Sequence, residues 1–332
     1  MSSPTIQDRF GRPISYLRIS VTDRCNYRCI YCMPEEGIKQ APQETILTYE
    51  EIISIAKVAA ENGINRIRLT GGEPLVRRGL TWLVRSLVEL NNIEEVSLTT
   101  NGSLLAQSAH PLVDAGLKRV NISLDTLNPD KFKRITRKGS LDRVWAGILA
   151  AEAAGLVPIK INAVIARGVN DDEVLDLGRL TIKHPWQVRF IELMPLEDQE
   201  KWQTQFPYSA RRFISVQEIK KTLEPLHLNP IEEPLGDGPA KVYQAEGALG
   251  TIGFISPLSN HFCDTCNRLR LTANGCLRPC LLDDHEVSIR EPLRAGENIL
   301  PYFLQAINAK PQGHNLCSTS SPLNRKMAQI GG

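Results

Sequence analysis

The sequence has no run of 18 apolar residues, which excludes a helix able to cross a membrane. Its first residues, MSSPTIQDRFGRPISYLRIS, hold no apolar stretch of the kind a secretory signal needs, so none is expected. Charge of one sign is also scarce: the formal net charge is +2. That removes any global electrostatic case for nucleic acid or a membrane surface, and neither is expected as a partner. An anionic ligand must then be met by a local cluster of Arg and Lys. No low-complexity segment occurs, and no repeat beyond an alternation of strands and helices. The expected compartment is the cytoplasm, where eight cysteines read as metal ligands or reactive thiols and not as a disulfide framework. What is present is ordinary for a folded chain: 332 residues, 42% hydrophobic and 23% charged, are enough for a large core in about two domains.

Between residues 15 and 193 a short β-rich run is followed, again and again, by an amphipathic helical run. The strand candidates are residues 15–21, 66–72, 95–102, 119–125, 158–165 and 187–193, rich in Val, Ile and Leu, and several end in Gly, Asn or Asp. The helix candidates cover 48–63 and about 79–90, 104–115, 141–154 and 171–182. The first opens with Thr48, has Glu51 three residues on, and stops at Gly63, which predicts a capping box. Strands alternating with helices imply right-handed βαβ units and a parallel sheet. Six units suggest an open or partial barrel, since eight would close one; a doubly wound sheet obeys the same alternation. The pattern stops near Pro195. Beyond it come a short helix in SVQEIKKTLEPL, a Pro- and Gly-rich loop, and strands in KVYQA, GTIGFIS and NRLRLTANG.

After the first strand stands VTDRCNYRCIYCMPEEG, with Cys25, Cys29 and Cys32 spaced C-x3-C-x2-C. The C-terminal ends of parallel strands are where such folds bind ligands. Three thiolates suit three irons of a [4Fe–4S] cubane and leave the fourth iron open, as a catalytic centre requires and a structural one avoids. A structural zinc completed by a distant ligand is the plainer alternative. CNYRCIYC resembles the cluster motif of the radical S-adenosylmethionine (SAM) enzymes. In that superfamily SAM chelates the fourth iron, and its reductive cleavage gives a 5′-deoxyadenosyl radical. The resemblance implies SAM contacts at Tyr31, at Gly72 and Glu73 in TGGEP, at Ser123 in ISLD, and at Met194 in ELMP.

A second set lies near the C-terminus in NHFCDTCNRLRLTANGCLRPCLLDD: Cys263, Cys266 and Cys280, with Cys276 between them. Taken alone, the four read as a zinc ribbon. FCDTCNRLRLT followed by a later cysteine resembles the GTP 3′,8-cyclase family, also called the molybdenum cofactor biosynthesis protein A family. There three cysteines hold a second [4Fe–4S] cluster whose open iron receives guanine. The matching ligands are Cys263, Cys266 and Cys280; Cys276 is expected free at a hairpin tip, and Cys317 is an incidental tail residue.

In RLRL, Arg268 and Arg270 share one face of a strand and the leucines the other. Guanidinium forks fit phosphate oxygens. Arg18, Arg68, Lys160 and Arg189 sit inside apolar strand runs, where an inward-pointing cation needs an anion. The family resemblance assigns Arg18, Arg68, Thr99, Lys160, Arg189, Arg268, Arg270 and the backbone at Leu269 to GTP. It places Arg268, Arg270, Gly331 and Gly332 in the catalytic set, the terminal glycines reaching into the site. It implies a partial (β/α)6 TIM-like barrel over 1–195, with a smaller β-rich region over 196–332 capping the barrel mouth. The implied reaction is cyclisation of GTP to (8S)-3′,8-cyclo-7,8-dihydro-GTP in molybdenum cofactor synthesis. The implied company is two [4Fe–4S] clusters, SAM, an external electron donor, a homodimer and a hand-off to cyclic pyranopterin monophosphate synthase. The rivals are a radical SAM enzyme acting on a peptide or protein through an auxiliary cluster, and a non-enzymatic zinc-ribbon module.

Overall fold

The computed structural model describes residues 6–194, 202, 205–206, 212–231, 238–314 and 324–331. Gly332 and Cys317 lie outside the described residues. Strands β1 (Tyr16–Ser20), β2 (Arg66–Thr70), β3 (Glu95–Thr100), β4 (Arg119–Ser123), β5 (Lys160–Ile165) and β6 (Gln187–Glu192) each fall inside one of the six expected runs. They are followed by β7 (Asn229–Pro230), β8 (Lys241–Gln244), β9 (Thr251–Ile255), β10 (Arg268–Leu271), β11 (Cys276–Arg278) and β12 (Val287–Ser288). The helices are α1 (Tyr49–Glu61), α2 (Leu80–Val88), α3 (Ala109–Asp114), α4 (Pro129–Thr136), α5 (Leu141–Ala153), α6 (Val174–Lys183), α7 (Val216–Thr222), α8 (Arg290–Arg294), α9 (Leu300–Asn308) and α10 (Met327–Ile330). Among the described residues no helix is long and apolar enough to cross a membrane.

One sheet holds all twelve strands in the order β12-β11-β10-β1-β2-β3-β4-β5-β6-β9-β8-β7. From β10 through β1–β6 to β9 every neighbouring pair is parallel. The two ends are antiparallel, β10–β11–β12 and β9–β8–β7. This is the expected α/β partial barrel, with one difference in construction. The C-terminal β-rich region does more than cap the mouth. Its strands continue the barrel sheet from both edges, β9 on β6 and β10 on β1. The unpaired backbone of an edge strand is a template for such addition. The outer hairpins then occupy the new edges, so the sheet stays open.

Period two decides what the strands carry. Leu17, Ile19, Ile67, Leu69, Val120, Ile122, Ile161 and Leu269 are fully buried in a core with the inner faces of α1, α2 and α5. The alternate residues, among them Arg18, Arg68, Asn121, Lys160 and Arg270, line the bowl instead. A parallel sheet covered on both faces reads as continuous apolar runs; here the concave face is polar because it borders a cavity.

Local signals account for some of the helix starts. Thr48 accepts from the Glu51 N–H at 3.2 Å and Glu51 accepts from the Thr48 N–H at 2.7 Å, the capping box expected for α1. Ser215 and Glu218 repeat it at α7. Helix α4 is absent from the sequence expectations, which allot one helix to each unit. Its cap was nevertheless written: Asn128 accepts from the Lys131 N–H at 3.0 Å, and Pro129 follows it.

Candidate active site

A cavity of ≈350 Å³ opens at the C-terminal ends of the parallel strands. Cys25, Cys29 and Cys32 line it, and so do Cys263, Cys266 and Cys280. All six are free thiols and partly buried. Cys276 is not among the lining residues. It begins β11 just after the tight turn at Gly275, and its Sγ accepts from Asn274 and Arg325 at 3.9 Å each. The four-cysteine ribbon is therefore split: three thiols border the cavity and the fourth does not. No three His, Cys, Asp or Glu side chains among the described residues converge on a single-ion position. A cubane does not ask for that convergence, since each of its irons takes its own thiolate. The soft donor sets fit it.

The first cysteine loop is held from three sides. The Cys32 and Met33 N–H groups donate to the Cys29 carbonyl at 2.9 and 3.2 Å, a helical turn that brings Cys29 and Cys32 to one face. The unexpected α4 forms the second side. Arg28 and Ile30 donate to the Thr136 and Ile135 carbonyls at 3.0 Å, and Arg137 donates to the carbonyls of Arg28 and Met33 at 2.9 and 3.1 Å. The third side is TGGEP. Gly72 and Glu73 donate to the Thr22 and Arg24 carbonyls at 2.8 Å each. A Cβ at Gly72 would stand 2.3 Å from the Arg24 carbonyl oxygen, so this contact is open to glycine alone.

Of the expected SAM contacts, Tyr31, Gly72, Ser123 and Met194 line the cavity. Glu73 does not: its side chain turns into the protein, and the contact expected of TGGEP is one of backbone carbonyls. Glu73 is fully buried, and its carboxylate accepts from the Leu75 N–H at 3.0 Å and from the Thr100 hydroxyl and the Asn101 N–H at 2.7 Å. Burial nonetheless pushes its pKa up to about 7. Its geometry is that of a brace between β2 and β3. Tyr31 donates its hydroxyl to Asp125 at 2.6 Å, and burial raises Asp125 to about 6.

The basic residues form a belt across the strands. Arg18 pairs in register with Arg68 on one side and Arg270 on the other. Lys160 lies opposite Asn121, and Arg189 donates to Asn162 at 2.8 Å. Arg18, Arg68, Lys160, Arg189, Arg268 and Arg270 all line the cavity, with Thr99. Leu269 is buried on the helix side of β10 and is not a lining residue. Burial drives four of these cations down, and neighbouring cations push the same way: Arg18 well down beside Arg270 and Arg68, Lys160 to about 7 beside Arg119, Arg189 and Arg68, Arg189 to about 9 beside Arg68, and Arg270 to about 10 beside Arg268. Thr99 Oγ1 and Asn121 Oδ1 are buried in the same cavity without a hydrogen-bond partner among the described residues. Crowded buried cations with orphaned polar atoms between them describe a site for a polyanion.

Gly331 reaches this belt. Its carbonyl accepts from Arg18 Nε at 2.6 Å and from Arg270 Nη1 at 3.0 Å. Its φ is +68° and a Cβ there would meet Thr70 Cγ2 at 2.8 Å, so the position suits glycine. The segment is anchored by Arg325, which donates to Glu286 at 2.7 Å and to Asn274 at 3.0 Å. Arg119, Asn121, Asn162 and Asp125 also line the cavity and are missing from the sequence expectations. The signal was there: Arg119 and Asn121 stand four and two residues before Ser123, and Asn162 two after Lys160, on the same strand face.

Residues 19–181 match the model of the radical SAM superfamily, and residues 186–316 match that of the molybdenum cofactor synthesis C family. The chain is similar to GTP 3′,8-cyclase of Pelotomaculum thermopropionicum, 48% identical over 332 residues, 98% of this chain and 100% of that one. It is 50% identical over 331 residues to GTP 3′,8-cyclase of Moorella thermoacetica, with coverage of 98% and 100%. Among solved structures, Streptococcus suis SuiB bound to S-adenosylmethionine superposes with a TM-score of 0.60 at 15% identity, covering 89% of this chain and 68% of that one, a likeness of fold.

Proposed function

The chain belongs to the GTP 3′,8-cyclase family of the radical SAM superfamily, and from that premise we propose how its residues divide the work. Its activity is the 3′,8-cyclisation of GTP in molybdenum cofactor biosynthesis, and membership implies a [4Fe–4S] cluster with SAM. The observation that carries the division of labour is the joint lining of one cavity by two three-thiol sets and a belt of buried cations.

Cys25, Cys29 and Cys32 would hold the SAM cluster, and Cys263, Cys266 and Cys280 a second cluster. Bound there, the first cluster with SAM supplies a 5′-deoxyadenosyl radical. Tyr31, Gly72, Ser123 and Met194 line the SAM side, with Asp125 fixing the Tyr31 hydroxyl. Arg18, Arg68, Lys160, Arg189, Arg268 and Arg270 hold the triphosphate. Thr99 and Asn121 offer hydrogen bonds to the same ligand, and Arg119 adds a charge. The tail glycine carbonyl orients Arg18 and Arg270. The enclosed bowl keeps water and stray hydrogen donors from the radical. In this reading residues 1–195 make the radical and contribute Arg18, Arg68, Lys160 and Arg189 to the substrate, and 196–332 hold the second cluster and add Arg268 and Arg270. An external one-electron donor, a homodimer and a hand-off to cyclic pyranopterin monophosphate synthase complete it.

Two rivals fall away. The peptide- or protein-modifying rival has only a likeness of fold behind it, such as the 15% identical SuiB, and fold alone does not carry a substrate. The zinc-ribbon module needs Cys276 beside its partners, and Cys276 faces elsewhere.

The test uses anaerobically reconstituted protein, SAM, dithionite and GTP deuterated at the ribose 3′ carbon. The 5′-deoxyadenosine formed is expected to gain one deuterium. Unlabelled 5′-deoxyadenosine, formed equally fast without GTP, would break the link between this cavity and the nucleotide.

A further inference from the structure

Lys310 follows α9 and is 2% exposed. Its ammonium has three partners: Cys266 Sγ at 3.6 Å, the Arg268 carbonyl at 2.7 Å and the Pro279 carbonyl at 2.9 Å. These partners come from both halves of the C-terminal cysteine set. Cys266 belongs to the first pair, Arg268 opens β10, and Pro279 precedes Cys280. A buried ammonium is costly unless its three protons are met. Among the described residues all three are met, two by carbonyls and one by the Cys266 sulfur, so the negative charge the ammonium faces is that of the cysteine sulfurs. The radical chemistry described above makes no use of it.

We propose that Lys310 is a positioning residue for the second cluster, joining its two ligand loops and setting its reduction potential through the charge held at Cys266. This rests on the reading of Cys263, Cys266 and Cys280 as cluster ligands. The sign follows from electrostatics. Reduction adds one negative charge to a cluster, so a cation at a ligand sulfur stabilises the reduced form more than the oxidised one. Lys310 therefore raises the potential, and a neutral residue in its place lowers it. The neighbouring carbonyl partners fix the ammonium at the sulfur, so a cation that can still reach them keeps the effect.

The experiment is a potentiometric titration of the anaerobically reconstituted full-length holoenzyme, followed by electron paramagnetic resonance. The first cluster serves as internal reference, recognised by its response to SAM. The Cys280→Ala variant identifies the other wave by its loss; if both waves persist in that variant, the reading of Cys280 as a cluster ligand fails and the role of Lys310 fails with it. With the wave assigned, Lys310→Met and Lys310→Gln are expected to shift its one-electron equilibrium about tenfold toward the oxidised form, which is ~59 mV. Lys310→Arg is expected to hold the parent value. An unmoved second wave in Lys310→Met at full iron content overturns the proposal while leaving the cluster in place. So does Lys310→Arg falling as far as Lys310→Met, because packing and not charge would then be at work. If the neutral variants lose one cluster's iron and Lys310→Arg keeps it, the charge is what holds the loops, and the proposal stands.

Discussion

Single residues in this cavity are tuned by what surrounds them. Lys160 is the sharpest case, pushed down to about 7 by burial and by Arg119, Arg189 and Arg68. A triphosphate favours its protonated form, so above pH 7 nucleotide binding draws in a proton. GTP affinity is expected to fall as pH rises from 7 to 9, measured by calorimetry. Lys160→Met is expected to bind about tenfold to a hundredfold more weakly at pH 7 and to lose that share of the pH dependence. An unchanged slope in the variant would remove the lysine from the linkage. Glu73 makes the opposite point, because its chemistry is spent inside the protein. Glu73→Ala leaves the Thr100 hydroxyl and the Leu75 and Asn101 N–H groups without their acceptor. It is expected to cost about 2–3 kcal/mol in chemical unfolding. A variant as stable as the parent would show that water replaces the carboxylate there.

At the scale of elements, legibility followed local chemistry. The capping box of α1 and the six barrel strands were readable because Thr48, Glu51 and the β-branched runs act on their own neighbours. Helix α4 carried readable signals at Asn128 and Pro129, but the one-helix-per-unit template passed over it. The two-residue strands β7 and β12 have no sequence signature, since a partner strand defines them. The packing of TGGEP on the cysteine loop is a contact between elements, and it gives a clean test. Gly72→Ala drives a methyl group to 2.3 Å from the Arg24 carbonyl oxygen. The variant is expected to keep its fold by circular dichroism and to lose iron, together with SAM cleavage. Arg137→Ala removes two donors from the same loop at Arg28 and Met33. A smaller loss of iron is expected, read after reconstitution; full iron in Gly72→Ala would mean the two loops can part without harm to the site.

Over the whole molecule, the sheet is what joins the two halves of the chemistry. β9 and β10 extend a barrel begun by β1–β6, so a C-terminal strand lies beside β1 and sets Arg270 next to Arg18. The tail then closes on that pair. Its anchor is remote from the cavity: Arg325 binds Glu286, which also binds the buried Arg278 of β11. Arg325→Ala is expected to lower the rate of cyclisation severalfold while leaving the iron content intact. Steady-state product formation set against iron per chain measures this, and an unaltered rate would mean the last residues find Arg18 and Arg270 without the latch.

The sequence by itself determined the chemistry and its class. Cysteine spacing, strand-end glycines and alternating arginines are local patterns, and the reactivity of a thiol or guanidinium is fixed by its type. It also determined the strand–helix alternation, because hydrophobic period is written residue by residue. Only the tertiary structure decided which distant residues share a space. It set Cys276 apart from Cys263, Cys266 and Cys280, turned Glu73 away from the cavity, and brought Arg119, Asn121 and Asn162 into it. It also carried the C-terminal strands onto both edges of the sheet. Those outcomes depend on strand pairing and register between segments as far as 252 residues apart, such as Arg18 with Arg270. Such pairing is chosen by the shape and unpaired backbone of the partner strand, and no single segment encodes it alone.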